Sequence, residues 1–321
     1  MRDFIHLHVH TYYSLLDGQS PINQLVEKAV KDGMKGMAIT DHGNMFGIKE
    51  FFDCCQKLNK SRKKEGKEPF KPIFGCEMYV ARRGDKLLKE QRKDMGGWHL
   101  VVLAKNMVGY HNLIRLVSRS WVDGFYMHPR TDFADLERYH EGLIISSACL
   151  GGEIPQHIMH GDLEAASKRV EWFKNIWGED FYIELQRHQV KDPAILANRE
   201  TYEEQKKVEP HLIALAKRYG VKLICTNDSH FVNEENAEAH DHLLCLSTGK
   251  DLDDPNRMRY SKQEWFKTRD EMESVFADIP EALTNTMEIL DKVEIYDIES
   301  SPIMPFFPIP EDFGTEEEWH Q

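Results

Sequence analysis

Short apolar runs bounded by polar punctuation alternate along this chain with longer stretches in which apolar residues recur every three or four positions. The first pattern reads as buried strands and the second as amphipathic helices, and their alternation is that of a parallel α/β sheet or barrel. The strand-like runs are "FIHLHVH" (4–10), "GMAIT" (36–40), "KPIFGCEMYVA" (71–81), "HLVVLAK" (99–105), "GLIISSACLGG" (142–152), "DFYIELQRH" (180–188) and "VKLICTNDSHF" (221–231). Between them, Ser20-Pro21 opens a helix that stops at Asp32-Gly33, since Pro suits a first helical turn and Gly a helix end. Further helices are expected over 46–63, from Met107, over 154–160 and 162–177, up to Gly220, and through "EAHDHLLCLSTG". Polar residues gather where the strands end, as they do on the C-terminal face of a (β/α) barrel.

After Lys262 the texture changes. "TRDEMESVF" and "IPEALTNTMEILDKV" read as two helices, and "SSPIMPFFPIPEDFGTEEEWHQ" is too rich in Pro to be a packed helix or central strand. The expected division is a barrel over 1–262 and a helical segment with a connector over 263–321.

Composition narrows this picture modestly. A chain of 321 residues with 41% hydrophobic content can bury one substantial core. It lacks any run of eighteen apolar residues and opens without a signal-peptide pattern, so a cytoplasmic protein with no membrane partner is expected. The six cysteines show no paired framework and are expected to remain thiols or bind metal. A formal charge of −13 argues against gripping nucleic acid over the whole surface. Bound divalent ions would reverse the sign locally, where an anionic substrate could sit. The cationic run "KLNKSRKKEGKEPFK" (57–71) reads first as a solvated helix end, and second as a DNA-backbone contact.

The candidate chemistry starts at His6, His8 and His10. Spaced by two on a strand they would project to one side, and imidazole is a common ligand for zinc, manganese or iron. One strand cannot complete a coordination sphere. Groups with metal chemistry at other strand ends are Asp17, His42, Glu77, His99, Cys149, Asp228 and His230. Each alone is more often structural, but so much polarity on one barrel face calls for metals or a charged substrate.

In order along the chain, "HLHVHT…SLLDG", "AITDHGNMFG", "GCEMYV", "HLVVLAKN", "SSACLGGEIP" and "TNDSHFV" resemble the successive motifs of the PHP (polymerase and histidinol phosphatase) family. With "GFYMHPRTDF", "FYIELQRH" and "HDHLLCLSTGK", the chain is similar to the N-terminal PHP domains of bacterial DNA polymerase III alpha subunits. That resemblance implies a distorted (β/α)7, TIM-like barrel (the PHP fold) with a helical and Pro-rich connector, in a bacterial cytoplasmic protein. It also implies three divalent ions, Zn2+ or Mn2+ rather than Mg2+. His8, His10, Glu77 and Asp228 would hold the first; Glu77 would bridge to a second held by His99 and Cys149; and Asp17, His42 and His230 would hold the third. Cys149 stands where phosphatase-like relatives have His. His6 would sit behind the ligands and orient one. Catalytic roles fall to Asp17, Glu77, His99 and Asp228, with His128, Arg130 and Arg187 as phosphate contacts.

The implied activity is metal-dependent phosphodiester hydrolysis, as a proofreading 3′→5′ exonuclease at a DNA 3′ end. One alternative is a metal-stabilised structural module that docks a separate exonuclease subunit, and another is a histidinol-phosphatase-like enzyme. The remainder of the alpha subunit and other replisome components are the implied partners, and the polymerase active site would lie outside this chain.

Overall fold

In the computed structural model, which describes residues 3–192 and 194–305, most of the expected runs become strands of one sheet. The strands are β1 (Gly36–Ile39), β2 (Lys71–Ala81), β3 (Gly97–Ala104), β4 (Arg130–Thr131), β5 (Leu143–Ser146), β6 (Phe181–Leu185) and β7 (Lys222–Cys225), of which only the two-residue β4 falls outside those runs. The order is β1-β2-β3-β5-β6-β7, with the two-residue β4 beside the end of β2. The expected parallel sheet is mixed, because β3 runs antiparallel to both β2 and β5. A parallel return needs a crossover long enough for a helix. The link from β2 to β3 holds only a short 3-10 turn (Arg92–Met95), so the chain doubles back.

Residues 4–10 close the barrel without becoming a regular strand. Ala38 of β1 donates its N–H to His6 O and Thr40 donates to Val9 O, while on the other side His10 N donates to Ser229 O and Ser229 N to His8 O. This segment therefore lies between β1 and the continuation of β7 and is buried throughout. In a regular strand, carbonyls two residues apart point the same way. Here His6 O faces β1 and His8 O faces Ser229, so the backbone swivels between them and only Val9 forms a ladder bridge.

The helices are α1 (Ile22–Lys31), α2 (Ile48–Lys64), α3 (Met107–Val122), α4 (Phe133–Arg138), α5 (Glu153–Met159), α6 (Leu163–Trp177), α7 (Glu200–Tyr219), α8 (Ala237–Thr248), α9 (Arg269–Val275) and α10 (Pro280–Lys292), and all but the short α4 fall on the periodic stretches. The division expected at Lys262 does not interrupt the packing. Phe266, Met272, Phe276, Leu283 and Ile289 lie in the same hydrophobic core as the strands. Ile5 N donates to Thr286 Oγ1, and Lys71 Nζ reaches the carbonyls of Leu290 and Val293. Apolar faces on α9 and α10 complete the barrel's cover because the sheet would otherwise expose that side to water. Ser301–Pro305 are exposed, and the rest of the expected connector, 306–321, lies outside the described residues.

Candidate metal centre

The nine candidate ligands arrive from separate elements at one end of the sheet. His8 and His10 come from the closing segment, and Asp17 from the turn after it, where Leu16 takes a left-handed φ of 60°. His42 follows β1 and bridges to Glu77 of β2. His99 lies near the start of β3 and donates its N–H to Gly151 O in the turn that carries Cys149. Gly151 lets the turn approach closely, since an added Cβ would lie 3.0 Å from the His99 ring and press on it. Beyond β7, Asp228 adopts a φ of 46°, an unusual conformation for a residue with a Cβ. That turn ends the strand and sets its carboxylate beside the histidines.

The geometry brings all nine together. His8 Nε2 lies 3.1 Å from Asp228 Oδ1 and 3.3 Å from Glu77 Oε1, and His10 Nε2 lies 3.2 Å from Asp228 Oδ1. His42 reaches Glu77 Oε2 at 2.6 Å through Nδ1 and Asp17 Oδ2 at 2.8 Å through Nε2, with His230 Nε2 at 3.4 Å from the same Asp17 oxygen. His99 Nδ1 is 2.8 Å from Glu77 Oε1, and Cys149 Sγ is 3.7 Å from that oxygen. Three triplets place their donor atoms within 4.8 Å of one another: His8-His10-Asp228, Glu77-His99-Cys149 and His10-His42-His230. The first two follow the sequence-based grouping. In the third, His10 stands where Asp17 was expected, so His10 lies between two of the groups.

Several of these atoms are buried yet make no well-formed hydrogen bond: His8 Nε2, His10 Nε2, Asp17 Oδ1, His42 Nδ1, Glu77 Oε2 and Asp228 Oδ1. They converge on one another within ion-pair distance, His42 Nδ1 lying 2.6 Å from Glu77 Oε2 and His8 Nε2 3.1 Å from Asp228 Oδ1. So many imidazoles, carboxylates and a thiol crowded with their donor atoms facing one another in a buried place is an arrangement that fits cations. Imidazole, thiolate and carboxylate together suit zinc or manganese better than an all-oxygen site would.

Without a cation the site holds protons. Burial alone would lower the pKa of His8, but Asp228, Glu184 and Glu77 outweigh that and hold it well above the usual value. His42 is likewise raised, to about 10, because Glu77 and Asp17 overcome its burial. His10 goes the other way, to about 3, through burial and the neighbouring charges of His42 and His230. Burial and the nearby Glu77 and Asp228 push the Cys149 thiol up. Opposing their own burial, the histidines hold Glu77 and Asp228 below the ordinary carboxylate range.

Around this cluster is a supporting layer that sequence reasoning missed. His8 Nδ1 lies 2.7 Å from Glu184 Oε1, and that carboxylate also accepts from Ser146, Thr226 and Gln186. The available signal was a carboxylate within β6, every residue of which is buried; a buried charge needs partners. His10 Nδ1 meets Ser14 Oγ at 2.8 Å, and that hydroxyl donates to Asp41. Tyr260 donates to Asp17 Oδ2, and His240 Nε2 lies 2.8 Å from Asp17 O.

Three expected roles change. His6 does not reach the ligands: its Nε2 lies 2.7 Å from Lys267 O and its ring packs against Phe4 and Phe266, the result of the backbone swivel. Arg130 is 1% exposed and donates to the carbonyls of Gly124, Leu88 and Lys86, leaving no face for a phosphate. Arg187 is spent on Glu209, Asp278 and Val275 O. The basic run 57–71 covers the last turns of α2 and the loop after it and is mostly exposed, which is the solvated helix end that its composition suggests first. His128 remains at the rim, exposed, its ring 4.7 Å from that of Tyr79. A groove of about 860 Å³ opens beside Cys149 and Asp228, walled by Leu196, Met258, Arg259 and Tyr260 among others.

The chain is 44% identical to DNA polymerase III subunit alpha of Borreliella burgdorferi over 97% of its own length and 26% of that protein. With the Treponema pallidum subunit the identity is 37%, over 98% of this chain and 25% of that one. This chain thus spans about a quarter of the length of these relatives. A solved structure of a putative metal-dependent phosphoesterase from Bifidobacterium adolescentis superposes with a TM-score of 0.38 at 14% identity, covering 72% of this chain and 88% of that one. The family profile described as "PHP domain" matches residues 6–188, more than half of the sequence, and the chain belongs to that family.

Proposed function

We propose that this chain is the metal-dependent phosphodiesterase module of a bacterial replicative DNA polymerase alpha subunit, and that it removes nucleotides from a DNA 3′ end. The observation that carries this reading is the convergence of the candidate ligands at one end of the sheet, with their donor atoms in three close triplets. His8, His10, Glu77 and Asp228 would hold one ion; Glu77, His99 and Cys149 a second; and Asp17, His42 and His230 a third. Bound ions supply positive charge for phosphoryl oxygens and make a water nucleophilic at neutral pH.

The chain's own groups do the rest. Glu77, with Oε1 facing His8 and His99 and Oε2 facing His10 and His42, would fix the spacing of the groups. Glu184 and Ser14 occupy the Nδ1 atoms of His8 and His10 and aim each Nε2 inward. Asp17, whose Oδ1 has no hydrogen-bond partner, and Asp228 would accept a proton. His128 at the rim is positioned to steer a phosphate, and the groove beside Asp228 has room for a nucleotide.

A second reading has its own support. The donors come from the closing segment and from both sides of it, so ions there would also fasten the barrel and could serve a purely structural module that docks an exonuclease subunit. The two separate in one assay: Mn2+- or Zn2+-loaded protein is given 3′-labelled single-stranded or mismatched DNA. Release of labelled mononucleotide, lost in Glu77→Ala and His99→Ala, is the expected result. Metal-loaded protein that leaves DNA intact supports the structural module, and turnover of small phosphomonoesters alone supports the histidinol-phosphatase-like alternative.

A further inference from the structure

Next to the centre is a surface that the proposed chemistry does not use. Phe46, Trp121 and Phe125 are 55%, 41% and 44% exposed. The Trp121 and Phe125 rings stack at 5.4 Å and 18°, and Phe46 lies 6.1 Å from Trp121. Trp121 Nε1 donates to Gly43 O at 2.8 Å, the carbonyl directly after His42, so this aromatic shelf begins one residue from a candidate ligand.

A basic loop adjoins the shelf. Residues 82–96, between β2 and β3, hold six cationic and three acidic side chains in a chain whose net charge is −13. Lys89, Arg92 and Lys93 are exposed, and no ion pair holds them among the described residues. Arg130, which proved unavailable to phosphate, links the two features. Its guanidinium binds Gly124 O, next to Phe125, and the carbonyls of Lys86 and Leu88 in the loop. Tyr79, which pairs with Arg130 in the sheet, packs against His128 and lies beside the rings of His42 and His99, so this rim leads to the centre.

Exposed rings beside unpaired cations are the combination that binds single-stranded nucleic acid, bases on the rings and phosphates along the charges. We infer that this surface is a track for single-stranded DNA, with bases stacking on Phe46, Trp121 and Phe125, phosphates meeting Lys89, Arg92 and Lys93, and the 3′ end passing Tyr79 toward the metal centre. This deepens the proposed function and rests on it for the direction of the strand. A duplex has no free base faces to offer the rings and binds less well.

The test is equilibrium binding of a 5′-fluorescein-labelled oligothymidylate to the intact chain in EDTA, where no cleavage occurs. Phe125→Ala and Trp121→Ala are expected to weaken binding roughly 10-fold or more each. The triple change of Lys89, Arg92 and Lys93 to Gln is expected to weaken it and to flatten the slope of log affinity against log salt by about 2. Phe125→Ala lacks the Gly43 bond of Trp121, so its effect does not pass through His42. No measurable binding by the unaltered chain, or unchanged affinity in the ring and charge variants, overturns the track; the shelf would then be a protein contact. Binding with the expected losses, but no DNA cleavage once Mn2+ is added, leaves the track standing and removes the exonuclease reading.

Discussion

His8 and Glu184 form a fully buried pair, Nδ1 to Oε1 at 2.7 Å, that leaves His8 Nε2 pointing at Asp228 and Glu77. A carboxylate behind a ligating imidazole fixes its tautomer and raises its basicity. Glu184→Gln is therefore expected to weaken metal binding roughly 10–100-fold. Isothermal titration with Mn2+ reads this, and an unchanged affinity would show that Glu184 only satisfies the core.

Metal uptake should release protons. Glu77 and Asp17 occupy both ring nitrogens of His42, whose pKa is raised to about 10, and His8 and the Cys149 thiol are also raised. At pH 7.5 each holds a proton that a cation must displace. Calorimetry in buffers of different ionisation enthalpy should report net release, and affinity should climb as pH rises. Binding without proton release would mean that these residues are not ligands.

Chelation should cost stability, because the donors span the closing segment, β2 and the turn after β7. The metal-loaded chain is expected to melt several degrees above the EDTA-treated one, by an increment that grows with free metal concentration. Equal melting temperatures would separate the cluster from the closure of the barrel.

Lys267 gives a pH dependence away from the cluster. Burial lowers its pKa to about 7, with its Nζ 3.4 Å from the centre of the Trp265 ring. Between that value and the unfolded value near 10.4, the unfolded chain binds the extra proton, so this residue's contribution to stability rises with pH across that window and is flat below it. Lys267→Met should remove the rise. The wild-type deficit relative to it at pH 6 should exceed that at pH 10 by on the order of 4 kcal/mol, read from urea unfolding at both pH values. Parallel stability curves would refute the assignment.

What was legible in the sequence was what period and strand ends record. Glu77, His99 and Asp228 stand at the ends or on inward positions of apolar runs, and all meet in space. Backbone direction was not legible: β3 reverses because the link before it lacks a crossover helix, and His6 leaves the imidazole row because the chain swivels before His8. Nor does a one-dimensional pattern show what a cation is already bonded to. Arg130 and Arg187 look like phosphate clamps until carbonyls and carboxylates are seen to saturate them. The shift in texture at Lys262 suggested a boundary, yet α9 and α10 share the barrel's core, because polar surface composition says little about which apolar face is covered.

The central claim, that these converging donors are a metal centre, is tested most directly by counting ions in the purified chain by inductively coupled plasma mass spectrometry, beside Glu77→Ala. The expected result is three divalent ions per chain, matching the three donor triplets, with a loss of more than one ion on removing the shared Glu77 carboxylate. A folded chain that retains no zinc or manganese, and takes up none when they are supplied, would contradict it.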